Sequence, residues 1–170
     1  MTKGKKIGIA VAVILGLIIL VSGVFMKPKS GSSSVEPGTY AKNQVEKLNQ
    51  LQQLTTQIYK DEETTDMVQL KSQITHISGS QESLFNGMIT DLNTAKDAIG
   101  QSRYDKISAV LQNNVKPAYQ LVITDANEIV KNGYDQNPGQ TVENYQNAMK
   151  AISTAQNTIS STQSTASSES

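Results

Sequence analysis

The chain has 170 residues, no cysteine and no tryptophan, and its fifteen Lys and Arg balance fifteen Asp and Glu. The lack of cysteine excludes disulfides, thiolate metal sites, a cysteine nucleophile and a lipid-modified cysteine. Five lysines (Lys3, Lys5, Lys6, Lys27, Lys29) flank one apolar run, and the rest carries ten basic against fifteen acidic residues, a net of −5, so no electrostatic footprint for nucleic acid exists.

Residues 1–6 form a short basic start, and residues 7–26, IGIAVAVILGLIILVSGVFM, carry no charge. As a helix this run spans about 30 Å, the thickness of a bilayer's hydrocarbon core. Thirteen of its side chains are Ile, Val, Leu or Phe, each favouring insertion by roughly 0.3–0.6 kcal/mol. A secretory signal competes as an explanation, with Val21-Ser22-Gly23 as a tolerable cleavage site. Its apolar part needs only about 7–15 residues, whereas this run continues through Val24-Phe25-Met26, which favours a retained anchor. The lysine bias puts the N-terminus in the cytoplasm and everything after the anchor outside. Gly8, Ala12 and Gly16 recur every fourth residue and offer a smooth face for a homodimer through the anchor, although small residues are common in membrane helices generally.

Residues 27–38, KPKSGSSSVEPG, read as a flexible tether. A helical bundle domain is expected over 39–160. Helix one starts near Thr39 as cap and runs to about Lys60, with Val45, Leu48, Leu51, Leu54 and Ile58 on one stripe. Asp61-Glu62-Glu63 reads as a cap and acidic first turn for a stripe of Met67, Leu70, Ile74 and Ile77, and residues 61–66 are the weak spot if the two helices are one. Ser78-Gly79-Ser80 reads as a break, with Ser80 and Ser83 capping a helix that carries Leu84, Phe85, Met88, Leu92, Ala95 and Ile99 and stops at Gly100. Ser102 caps the next, whose stripe runs from Tyr104 to Val130 and includes Leu121. Pro117 predicts a kink near 113–117. Residues 132–139, NGYDQNPG, form the clearest loop. The last helix starts near Gln140 or Thr141, with Val142, Tyr145, Ala148, Met149, Ile152, Ala155 and Ile159 on its stripe. Residues 161–170 read as a disordered Ser/Thr-rich tail.

No strand signal stands out. The expected fold is all-α: a single N-terminal transmembrane helix plus an extracytoplasmic antiparallel bundle of four to five helices.

Chemistry-bearing groups are sparse. His76 is the single histidine and reads as a partly buried packing residue or a partner of a helix C-terminus. Glu62 and Asp66, one turn apart, would share a cation if helical, but an acidic helix start explains them as well. Asp135-x-Asn137-x-Gly139 fails as a calcium loop, since its glycine comes one position early and position twelve is Gln146. Tyr40, Tyr59, Tyr104, Tyr119 and Tyr145 fall on or beside stripes and read as core packing. Tyr134 lies in the loop and is the candidate partner contact. No catalytic, metal or cofactor-binding residue is nominated, and no enzymatic activity is expected.

These features favour a membrane-tethered interaction module of the cell envelope that binds another envelope protein in assembly, secretion, transfer or exclusion and immunity. The alternatives are an extracytoplasmic ligand-binding or sensor-like bundle, or a secreted helical protein released after signal cleavage. The expected location is the cell membrane, single-pass.

Overall fold

The computed structural model describes residues 36–164. The expected anchor at 7–26, its Gly8, Ala12 and Gly16 face, residues 27–35 of the expected tether and residues 165–170 of the expected tail lie outside the described residues; the last two tether residues, Pro37 and Gly38, are helical. Among the described residues every regular element is helical, and no helix is long and apolar enough to cross a membrane.

α1 (Pro37–Asp61) begins at a proline, ahead of the expected cap Thr39. Proline suits that position because its φ is already helical and its missing N–H would have had no partner. α2 (Met67–Ile99) is capped by Asp66, whose carboxylate accepts from the N–H groups of Val68 and Gln69. Asp61 therefore ends one helix and does not start the next.

The expected break at Ser78-Gly79-Ser80 is absent, and α2 runs straight through it. Gly79 faces solvent, where a mid-helix glycine costs only about 0.5–1 kcal/mol. The buried stripe keeps its step across the site through Ile77, Gln81, Phe85 and Met88. The Ser78 and Ser80 hydroxyls donate to the carbonyls of Thr75 and His76 within the helix. His76 is thus an exposed mid-helix residue, not a packing residue near an end, and Ser80 and Ser83 cap nothing.

Gly100 ends α2 at φ +82°. The chain turns there directly into α3 (Gln101–Val110), one π turn (Leu111–Val115) and α4 (Lys116–Asn132), which together make a third rod. Ser102 lies inside α3 and makes no cap. The irregularity expected from Pro117 is the π turn, where the Lys116 N–H donates to the Leu111 carbonyl five residues back. Widening the turn there relieves the clash that a proline ring makes with the preceding turn. Gly133, at φ +79°, closes α4. α5 (Pro138–Ser164) starts before Gln140 and continues past Ser160, into the expected tail.

The four rods run up and down. Gln44 meets Met88 while Thr55 meets Gln81, so α1 and α2 are antiparallel. Asn49 meets Gln156 while Thr56 meets Tyr145, so α1 and α5 are antiparallel too. Both longer loops, 62–66 and 133–137, therefore sit at the end away from Pro37. The core forms two clusters. One, toward Pro37, holds Leu48, Leu51, Met88, Leu92, Leu111 and Ile152. The other, toward the loops, holds Ile58, Leu70, Ile74, Val122, Ile129 and Ala148. On the α1–α2 side they part at a polar pair, Thr55 and Gln81, both fully buried. Gln81 Nε2 donates to Thr55 Oγ1 at 2.9 Å, and that hydroxyl donates to the Leu51 carbonyl.

Two residues placed on stripes are exposed, Leu121 and Val142. In α4 the buried line passes through Tyr119 and Val122, and in α5 through Thr141 and Asn144, whose side chains hydrogen-bond at the loop end. Gly79→Ala tests the continuity of α2. Nothing lies within 4 Å of a Cβ added at Gly79, so alanine should add about 0.5–1 kcal/mol, read as a rise in Tm. A fall in Tm would place a real break there.

Candidate functional site

The loop end is built by local turns and caps. Glu62, the first residue after α1, is still in helical conformation; its N–H donates to the Ile58 carbonyl, and the Glu63 N–H donates to that of Lys60. The Thr64 N–H then donates to the Asp61 carbonyl, and Asp66 opens α2. In the second loop Gly133 takes the left-handed turn. Asp135 Oδ1 accepts from the Asn137 N–H at 2.8 Å, and the Asn137 carbonyl starts α5 by accepting from Gln140 and Thr141. Asp135-x-Asn137-x-Gly139 is therefore a side-chain turn leading into a helix, which accounts for its superficial likeness to a cation loop.

Between the end of α4, this loop and the start of α5 lies a cleft of about 60 Å³ lined by Asp125, Glu128, Asn132, Asp135 and Gln140 among others. Asp125 accepts from Asn144 Nδ2 at 2.9 Å, and Gln140 Nε2 donates in turn to Asn144 Oδ1. Burial pushes the Asp125 carboxyl up; the Asn144 bond opposes this, and Glu128 and Asp135 add to it.

Glu62 approaches the same two aspartates from α1. Both of its carboxyl oxygens are buried and neither has a hydrogen-bond partner. Burial is the main cause, and the charges on Asp125 and Asp135 the lesser one, of a pKa pushed up to about 8. Neighbouring Asp61 is raised as well, by burial and against a hydrogen bond from Gln57. At neutral pH Glu62 is mostly protonated, which lets three carboxyl groups share one end of the bundle.

Tyr134 stands in the second loop with 63% of its surface exposed. It lies between α4 and α5, outside any helix. The other tyrosines pack: Tyr40 and Tyr119 are buried, while Tyr59 and Tyr145 stack at 4.2 Å. Glu62 and Asp66 do not share a helix face, because the chain turns between them. Among the described residues no group of three or more His, Asp or Glu is arranged to hold a metal ion. The meeting of Glu62 with Asp125 and Asp135 was not foreseen from sequence. The available signal was that, in an up-and-down bundle, the acidic stretch at 61–66 and the loop at 132–139 must share an end.

No family model, no curated protein and no solved structure matches this chain. The reading of the site rests on its own chemistry.

Folding raises the Glu62 pKa from 4.5 to about 8, so the folded state holds a proton that the unfolded state releases. Its contribution is present in full below pH 4.5 and is lost as pH climbs toward 8. Glu62→Gln should therefore flatten the fall in Tm between about pH 5 and pH 8 and stabilise the bundle at pH 8.5. After solvent screening the gain is about 1–2 kcal/mol. A wild-type Tm that rises with pH over that interval would contradict the site as described.

Proposed function

We propose that this chain is a non-catalytic interaction module of the cell envelope, held by residues 7–26 as a single-pass anchor with its N-terminus in the cytoplasm. The helical domain stands outside and receives another envelope protein at its loop end. One observation carries the reading. The chain enters the bundle at Pro37, and Tyr134 is exposed in an ordered loop at the opposite end. Along the 25 residues of α1 that separation is about 37 Å. A contact residue so placed is the part of the domain farthest from its point of attachment.

The chemistry of that end suits a protein surface. An exposed tyrosine supplies a large apolar face with a polar tip at low ordering cost. Asp135 follows it in the chain and, with Glu128, lines a cleft of about 60 Å³, well below the roughly 300–1,000 Å³ of sites that enclose a small molecule. A cleft of that size does not enclose a metabolite.

A photoreactive amino acid at Tyr134 in intact cells is expected to capture one discrete partner. The same group at Lys42, exposed on α1 near the Pro37 end, should capture none. Tyr134→Ala should weaken co-purification of that partner about tenfold or more, with no change in Tm. Equal labelling from both positions would defeat the proposal.

A further inference from the structure

The buried polar atoms that lack partners are concentrated on one helix. Among the described residues they are Tyr40 Oη, Gln44 Oε1, Asp61 Oδ2, both oxygens of Glu62 and Gln81 Oε1. The first three belong to α1 and the next two to Glu62, the residue just after it. The sixth lies on α2, on the glutamine whose amide donates to Thr55 of α1. An unpartnered buried group regains water when its helix withdraws, so α1 leaves the bundle at less cost than an apolar helix of its length.

The connections differ in the same direction. The turn from α2 to α3 and the loop from α4 to α5 each depend on a glycine at positive φ, Gly100 and Gly133, which holds them as turns. The connection at 62–66, Glu-Glu-Thr-Thr-Asp, has no glycine and no proline. Glu62 already has helical angles, and Asp66 has extended ones. Straightened, it would join α1 and α2 into one helix of about 95 Å.

The groove that α1 vacates is selective. It presents the Met88 carbonyl, which accepts from Gln44 Nε2, the Gln81 amide, which donates to Thr55, and Asp91, which pairs with Lys47 Nζ at 2.6 Å. A purely apolar helix would leave the Gln81 amide unanswered. The sequence that answers all three is α1 itself. We propose that α1 is an exchangeable helix: by straightening at 62–66 it leaves its own groove and fills the groove of a second copy of this chain, giving a reciprocal dimer. Every contact that α1 makes in the closed bundle is remade between chains, and only the turn at 62–66 changes.

The chain has no cysteine, so an introduced pair reports the exchange directly. The full chain in mild detergent would carry Thr55→Cys with Gln81→Cys, and separately Lys47→Cys with Asp91→Cys. Each would be brought briefly near its melting temperature at high and at low protein concentration, cooled and oxidised. The expected result is a disulfide-linked dimer that grows with concentration, in which the introduced pair bridges two chains. Thr65→Pro, at a residue whose N–H enters no hydrogen bond of the turn, should cut that dimer at least tenfold by forbidding the straight hinge. Asp66→Ala removes the cap that only the turned form needs and should raise it at least threefold; it decides the matter if the proline variant does not fold. Bonds closing only within chains at every concentration overturn the proposal, including in a dimer held together elsewhere. So does a bridged dimer indifferent to Asp66→Ala.

Discussion

Four helices with one buried stripe each close into a core only if α1 fills the groove between α2 and α5. Leu48, Leu51 and Ile58 do the filling, and all three are fully buried. The stripe is thin. On the same stripe stand Gln44 and Thr55, equally buried, so the helix that completes the bundle is also the one that takes amides and hydroxyls out of water. Each unpartnered buried polar atom costs about 1–3 kcal/mol, a large fraction of the 5–15 kcal/mol that separates a folded domain from its unfolded chain. The polar groups in return fix the register of α1 on α2, since sliding either helix by one turn would separate Gln44 from Met88, Thr55 from Gln81 and Lys47 from Asp91 together.

The same geometry arranges the two ends. Because the helices run up and down, the acidic turn after α1 and the loop after α4 share an end, and Glu62 comes within electrostatic reach of Asp125 and Asp135. A carboxyl group in that position stays in place at neutral pH by holding its proton. The chain enters at the other end, at Pro37, and Tyr134 is the exposed aromatic ring of the loop end, which fits the proposal that the loop end does the binding.

Much of this was legible in the residues. The stripes through Leu48, Leu51 and Ile58, through Leu70, Ile74 and Ile77, and through Met88, Leu92 and Ala95 follow from three- and four-residue spacing alone. Gly100 and Gly133 announce helix ends because their backbone conformation suits no other residue as well. Pro117 announces the irregular turn at Leu111–Val115. Gly79 misled for a physical reason: a glycine ends a helix only where the stripe also stops, and here it continues through Gln81, an amide that reads as surface. The burial of Gln44, Thr55 and Gln81 was illegible for the same cause, since polar residues at stripe positions are recognised only when their partners on the facing helix are known. The site around Glu62 needed topology, because Glu62, Asp125 and Asp135 are brought together by three different elements.

The central claim is that α1 belongs to the shared core yet is held there on weaker terms than its neighbours. Native-state hydrogen exchange resolved along the helices measures this most directly. The amides of Leu48, Leu51 and Thr55 should open at a free energy clearly below those of Met88 and Leu92 in α2 and Ile152 in α5, although all six residues are buried. Equal protection of all six, at the level of global unfolding, would show that α1 is as firmly seated as the rest and would contradict the account.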